Sequence, residues 1–209
     1  MYLVIIIIIL GIFLYKSREK YKDIKIYTSD IDKRNYNIST DFKDYNKAAD
    51  TMAKLHDFII KFLNYLKFNY IDKSYNNLSD ETINYKSNVR FIKRILNNYN
   101  PDNLHENNPL TSNDTSFVIG KGSKFAVCLR EKESNNLHDF NTLQFVFLHE
   151  ITHIGTIEYG HGKEFWTMFK FILIQAVKSG LYIPHNYKKN NVYYCGLKIT
   201  SNPYYDYND

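Results

Sequence analysis

Residues 146–166, VFLHEITHIGTIEYGHGKEFW, constrain this chain more than any other stretch. They contain His149-Glu150-Ile151-Thr152-His153, an H-E-x-x-H pattern. On a helix, residues four apart stand one above the other on one face. His149 and His153 can therefore aim two imidazole nitrogens at one tetrahedral ion, each at about 2.0–2.1 Å. Glu150 follows the first histidine directly. It stands beside such an ion without ligating it, where it can take a proton from a water. A solvated helix face is the plain alternative. Leu143, Val146, Phe147 and Ile151 argue against it, because they give the segment an apolar face that packs into a core. Histidine and glutamate buried there without partners would be costly, and a metal removes that cost. The pattern predicts a Zn2+-dependent hydrolase, most often a peptidase, with one Zn2+ per chain and a protein or peptide as substrate.

A catalytic zinc site takes three protein ligands and keeps a position open for water. His161 is the preferred third ligand. It stands between Gly160 and Gly162, which suit a chain leaving one helix and turning back. Glu158 and Glu164 are rivals, the latter because it would open the following helix. Tyr159 is a candidate for oxyanion support. In the expected mechanism Glu150 accepts a proton from the attacking water and passes it to the leaving amine.

With HEITH followed by GHGKEFW, the chain resembles the WLM and SprT-like (Wss1/Spartan-type) metallopeptidases. The resemblance is specific over about twenty residues and looser from 117 to 200. It implies His149, His153 and His161 as zinc ligands, Glu150 as catalytic base, and Phe165 and Trp166 as the packing residues after the third histidine. The third histidine comes eight residues after the second. WLM proteins usually use a shorter step and SprT-like members a longer one with a GHG-x-EF ending, so the chain is intermediate. The implied fold is α+β, a zincin-like minimal metallopeptidase domain with helices on a small sheet. In zincins an edge strand pairs with extended substrate. By that analogy Phe125, Ala126, Val127 and Cys128 are expected to form it. The resemblance also carries an alternative activity, proteolysis of DNA–protein crosslinks. A further alternative is a non-enzymatic, zinc-stabilised membrane scaffold, against which an intact Glu150 weighs.

Residues 1–15 form an apolar run rich in isoleucine, uncharged until Lys16. As a helix such a run reaches roughly 21 Å, short of the roughly 30 Å hydrocarbon core. No basic residue precedes it and no small-residue cleavage site follows, so a retained single-pass anchor is expected rather than a signal peptide. Lys16, Arg18, Lys20 and Lys22 then place the remainder in the cytoplasm, on a host or virion membrane. Residues 16–40 read as a charged stalk, 41–200 as the peptidase domain and 201–209 as a tail. The net charge of +5 is spread among mixed signs, so no nucleic-acid footprint stands out and a nucleic-acid partner is not expected. Cys128 and Cys195 form no framework. A reducing compartment is the simplest reading, with one disulfide between them left open. The excess of Ile, Asn, Lys, Tyr and Phe fits an AT-rich genome such as that of a large DNA virus.

Helical stripes run through Ala48, Met52, Leu55, Ile59, Phe62 and Leu66, and through Val89, Ile92 and Leu96. Residues 117–119 and 125–129 read as a hairpin turning at Gly120-Lys121-Gly122, whose spacing excludes a phosphate loop. A helix starting near Asp139 carries the metal motif, and another covers 163–180.

Overall fold

The computed structural model describes residues 24–72, 82–112 and 114–206. Two strands, β1 (Ile24–Thr28) and β2 (Asn35–Ser39), pair antiparallel near its start. From Ile24 onward, the expected stalk is therefore part of the sheet. Tyr36 and Ile38 are buried two apart, the period of a strand with one covered face. The charged turn residues Asp30, Asp32, Lys33 and Arg34 mask that signal in composition.

Helix α1 (Tyr45–Lys67) buries the expected stripe, including Ala48, Met52, Leu55, Ile59, Phe62 and Leu66, against β1 and β2. Helix α2 (Thr82–Asn98) buries Phe91, Ile92 and Ile95, a face turned slightly from the stripe read in sequence. The reason is Gly155, the last residue of α3 (Phe140–Gly155). A Cβ there would fall inside the Phe91 ring and against Ile95, so glycine lets α2 and α3 approach closely. Most of α3 is buried, as expected of a helix that is apolar nearly all round. Phe147 of α3 stacks on Phe125 at 4.6 Å between ring centroids, with both rings fully buried. Replacing such a ring by alanine costs about 3–5 kcal/mol. Asp139 caps α3, accepting from Thr142 N–H at 3.0 Å. Helix α4 (Lys163–Lys178) packs on α3 and completes the set of four helices among the described residues.

The sheet contains a strand hidden in the Asn- and Pro-rich loop, β3 (Leu104–Glu106). It pairs parallel with β2 on one side and with β5 (Lys124–Val127) on the other. Strand β4 (Phe117–Ile119) pairs antiparallel with β5, and the order is β1-β2-β3-β5-β4. This corrects the expected edge strand. Phe125, Ala126 and Val127 are interior, paired on both sides, and Cys128 follows them; the edge on that side is β4. The parallel neighbour β3 comes from a distant loop, which local sequence does not announce.

The last strands, β6 (Val192–Tyr194) and β7 (Leu197–Ile199), form a separate hairpin through Cys195-Gly196. Both turn residues have positive φ, +50° and +81°, the geometry of a two-residue hairpin turn. Cys195 is bonded to Cys128, so the two cysteines form a disulfide rather than free thiols.

The architecture expected from sequence, a zincin-like α+β domain behind a membrane anchor, is corrected. The chain is a mixed α/β fold of four helices and a sheet. Among the described residues no helix is long and apolar enough to cross a membrane. The longest, α1, carries Lys47, Asp50, Lys54, Asp57 and Lys61 along its length. The expected transmembrane segment, residues 1–15, lies outside the described residues, and no described helix supports the single-pass localisation built on it.

Candidate metal centre

His149 and His153 project from one side of α3, and His161 reaches them from the loop joining α3 to α4. Their Nε2 atoms lie 3.2 Å apart for 149–153, 3.1 Å for 153–161 and 2.9 Å for 149–161. Among the described residues this is the group of His, Cys, Asp or Glu side chains that can hold a metal ion. Three ligands of a tetrahedral zinc with bonds of about 2.0–2.1 Å stand about 3.3–3.4 Å from one another. The observed triangle is close to that, and the donor set suits the ion.

All three rings rest on Phe165, the buried first-turn residue of α4. Its centroid is 4.7 Å from His149, 4.3 Å from His153 and 4.6 Å from His161. Phe169 adds an edge contact to His149, and Trp166 lies against His161. Burial pushes the imidazoles below their ordinary range, His149 to about 3 and His153 to about 4, with His161 also lowered. Mutual repulsion among the rings adds to the effect at His149 and His153. Neutral imidazoles are the ligating form.

Glu150 faces the same cavity and is 4% exposed. Burial alone pushes its carboxyl up to about 8. A buried acid with no cation to offset it, next to three converging lone pairs, is the electrostatic complement of a bound cation.

The rival ligand Glu164 serves elsewhere. Glu164 accepts from Ile157 N–H and Glu158 N–H at 3.1 Å each and pairs with Arg94 at 3.5 Å. It holds the loop that carries His161. Arg94 also donates to Gly155 O at the end of α3. Lys121, from the β4–β5 turn, donates to His153 O at 3.1 Å and to Glu158 O at 2.9 Å. Sequence reasoning missed Arg94 and Lys121, because each comes from an element distant in the chain. Tyr159 lines the cavity but is 79% exposed, with Lys121 Nζ 4.5 Å from its ring centroid.

The histidines open into a cavity of about 590 Å³. Its walls are Phe117 and Val118 of β4, Phe145 and Val146 of α3, and Tyr194, Leu197 and Ile199 of the β6–β7 hairpin. The hairpin went unrecognised as a wall, since only the disulfide and tertiary packing bring it there. The wall is largely apolar.

No family model matches the chain. It is 32% identical over 133 residues to the uncharacterized protein R325 of Acanthamoeba polyphaga mimivirus, a match covering 62% of this chain and 67% of that protein. It is 39% identical over 90 residues to the uncharacterized protein 136R of Invertebrate iridescent virus 6, covering 42% of this chain and half of that relative's length. Among solved structures, a Wss1 mutant from Saccharomyces cerevisiae shares 18% identity at a TM-score of 0.35, covering 51% of this chain and 90% of that one. That likeness is too slight to assign fold or chemistry.

Proposed function

Given that the chain belongs to the same family as the mimivirus protein R325, we propose that it is a zinc-dependent hydrolase of peptide bonds. One observation carries the reading: three imidazole Nε2 atoms converge at 2.9–3.2 Å beside a buried, uncompensated Glu150 at the floor of an apolar cavity. His149, His153 and His161 would hold the ion, with Phe165 fixing the orientation of all three rings. When bound, the ion supplies a Lewis acid that activates water and polarises a carbonyl. Glu150 takes the proton of the attacking water and returns it to the leaving amine. The apolar walls lower the local dielectric, which strengthens electrostatic interactions beside them.

Substrate has a natural seat at β4. Its outer edge has no strand partner among the described residues, and Phe117 and Val118 line the cavity that holds Glu150. An extended peptide can add there as a further strand, its backbone bonded to β4 and alternate side chains entering the apolar cavity. The test is casein hydrolysis by the zinc-loaded chain, with and without chelator. Cleavage that survives complete zinc removal would sink the reading.

A further inference from the structure

We propose that Tyr194 is a second catalytic group of this site, donating its phenolic hydrogen bond to the oxyanion that develops on the scissile carbonyl. This rests on the hydrolase reading above and assigns a role that sequence reasoning gave to Tyr159.

The hydrogen-bond accounting at Tyr194 leads there. Cys128 N–H donates to Ser116 Oγ at 3.0 Å. Ser116 Oγ also lies 2.5 Å from Tyr194 Oη, and either hydroxyl can donate to the other. Cys128 N–H also bears on the phenol oxygen. An oxyanion in the cavity, being charged, is a stronger acceptor for the phenol proton than the serine hydroxyl, and Ser116 can then donate to Tyr194 Oη. Tyr194 lines the same cavity as Glu150 and the three histidines. A cavity-lining tyrosine whose hydroxyl can accept from the protein while it donates to substrate is a preorganised donor. Burial first, and then the Glu150 charge, keep the phenol protonated far above the usual range, while the Ser116 and Cys128 donors act against this. The proton therefore stays on Tyr194, and its contribution is a hydrogen bond rather than a transfer.

Three ties hold the ring in place. Cys195, the next residue, is bonded to Cys128 at the end of β5. Its N–H donates to His138 Nε2 at 3.1 Å. The His138 ring packs on Tyr194 itself, with centroids 4.8 Å apart. Tyr194 is 3% exposed, whereas Tyr159 stands on the open rim. A donor that is fixed before substrate arrives costs no reorganisation during the reaction.

The experiment uses the zinc-loaded full chain, a peptide spanning a casein bond that it cleaves, and a phosphinic analogue of that peptide. The analogue places an oxygen where the oxyanion forms. Tyr194→Phe should lower kcat by about 10²–10³-fold, as loss of one oxyanion donor does. KM should stay within about twofold, and affinity for the phosphinic analogue should fall by about the same factor as kcat. Zinc per chain and the absence of free thiols should match wild type. Ser116→Ala leaves the phenol but removes its orienting hydrogen-bond partner, and should lower kcat by a smaller factor, about 10-fold. Tyr159→Phe should change little. Near-wild-type kcat in Tyr194→Phe beside an inactive Glu150→Gln overturns the assignment of Tyr194 and leaves the hydrolase reading intact. Loss of zinc or of the disulfide in Tyr194→Phe assigns Tyr194 to structure alone and overturns it as well. No cleavage by wild type sinks both readings.

Discussion

Two buried glutamates in this molecule invite comparison. Glu106 on β3 is fully buried, and Glu150 on α3 nearly so. Burial raises the carboxyl of each above its ordinary value. Glu106, however, lies against the Arg130 Nε at 2.8 Å and accepts from Ser39 N–H at 2.9 Å. Arg130 in turn reaches Asp44 at 2.7 Å and lies over the Phe42 ring. That carboxylate is built into a network joining β2, β3 and the chain beyond β5, and its purpose is structural. Glu150 has burial and no built-in cation, and it opens on a cavity. Where a fold leaves a buried acid uncompensated, the missing charge is expected from outside.

Altering each acid should therefore have opposite consequences. Glu150→Gln should lower peptide turnover by about 10²–10⁴-fold, the range of a lost general base. Its zinc content and unfolding midpoint should hold, as metal analysis and thermal melts would show. Glu106→Gln should instead keep zinc binding but cost about 3–5 kcal/mol in urea unfolding, because the buried Arg130 loses one of its two carboxylate partners. Equal stability in the two variants would erase the distinction.

Zinc should do for Glu150 what Arg130 does for Glu106. Adding zinc at about 100 times its dissociation constant should stabilise the folded chain by about 2.7 kcal/mol. His161→Ala, with the triangle reduced to two rings, should lose most of that gain in a titrated thermal melt. A full zinc shift in the His161 variant would mean the ion is held elsewhere.

The smallest effect is a pH slope at His138, beside the disulfide. Burial, as the largest cause, holds its folded pKa below the ordinary value of 6.5, against the opposing pulls of Glu131 and the Arg130 backbone. A depressed pKa means its contribution is full above about 6.5 and is lost as the pH falls below that value. The stability difference between zinc-loaded wild type and His138→Gln should therefore shrink on acidification, measured by chemical unfolding at several pH values. A difference that is flat with pH would show that His138 does not titrate in the fold.

Sequence by itself determined what depends on near neighbours. The spacing of His149 and His153 on one helical face, the Asp139 cap, the buried stripe of α1 and the β4–β5 hairpin follow from local periodicity and turn chemistry. His161 and Phe165 were within reach because the loop returning to α3 is short. Long-range closure decided the rest. β3 came from a loop and made β5 an interior strand. The hairpin of β1 and β2 took the place of a stalk. The disulfide brought Tyr194 to the cavity, and Glu164 became a clamp for the loop rather than a ligand. A side chain's role in such places is set by partners tens of residues away, and periodicity within one segment carries no information about them.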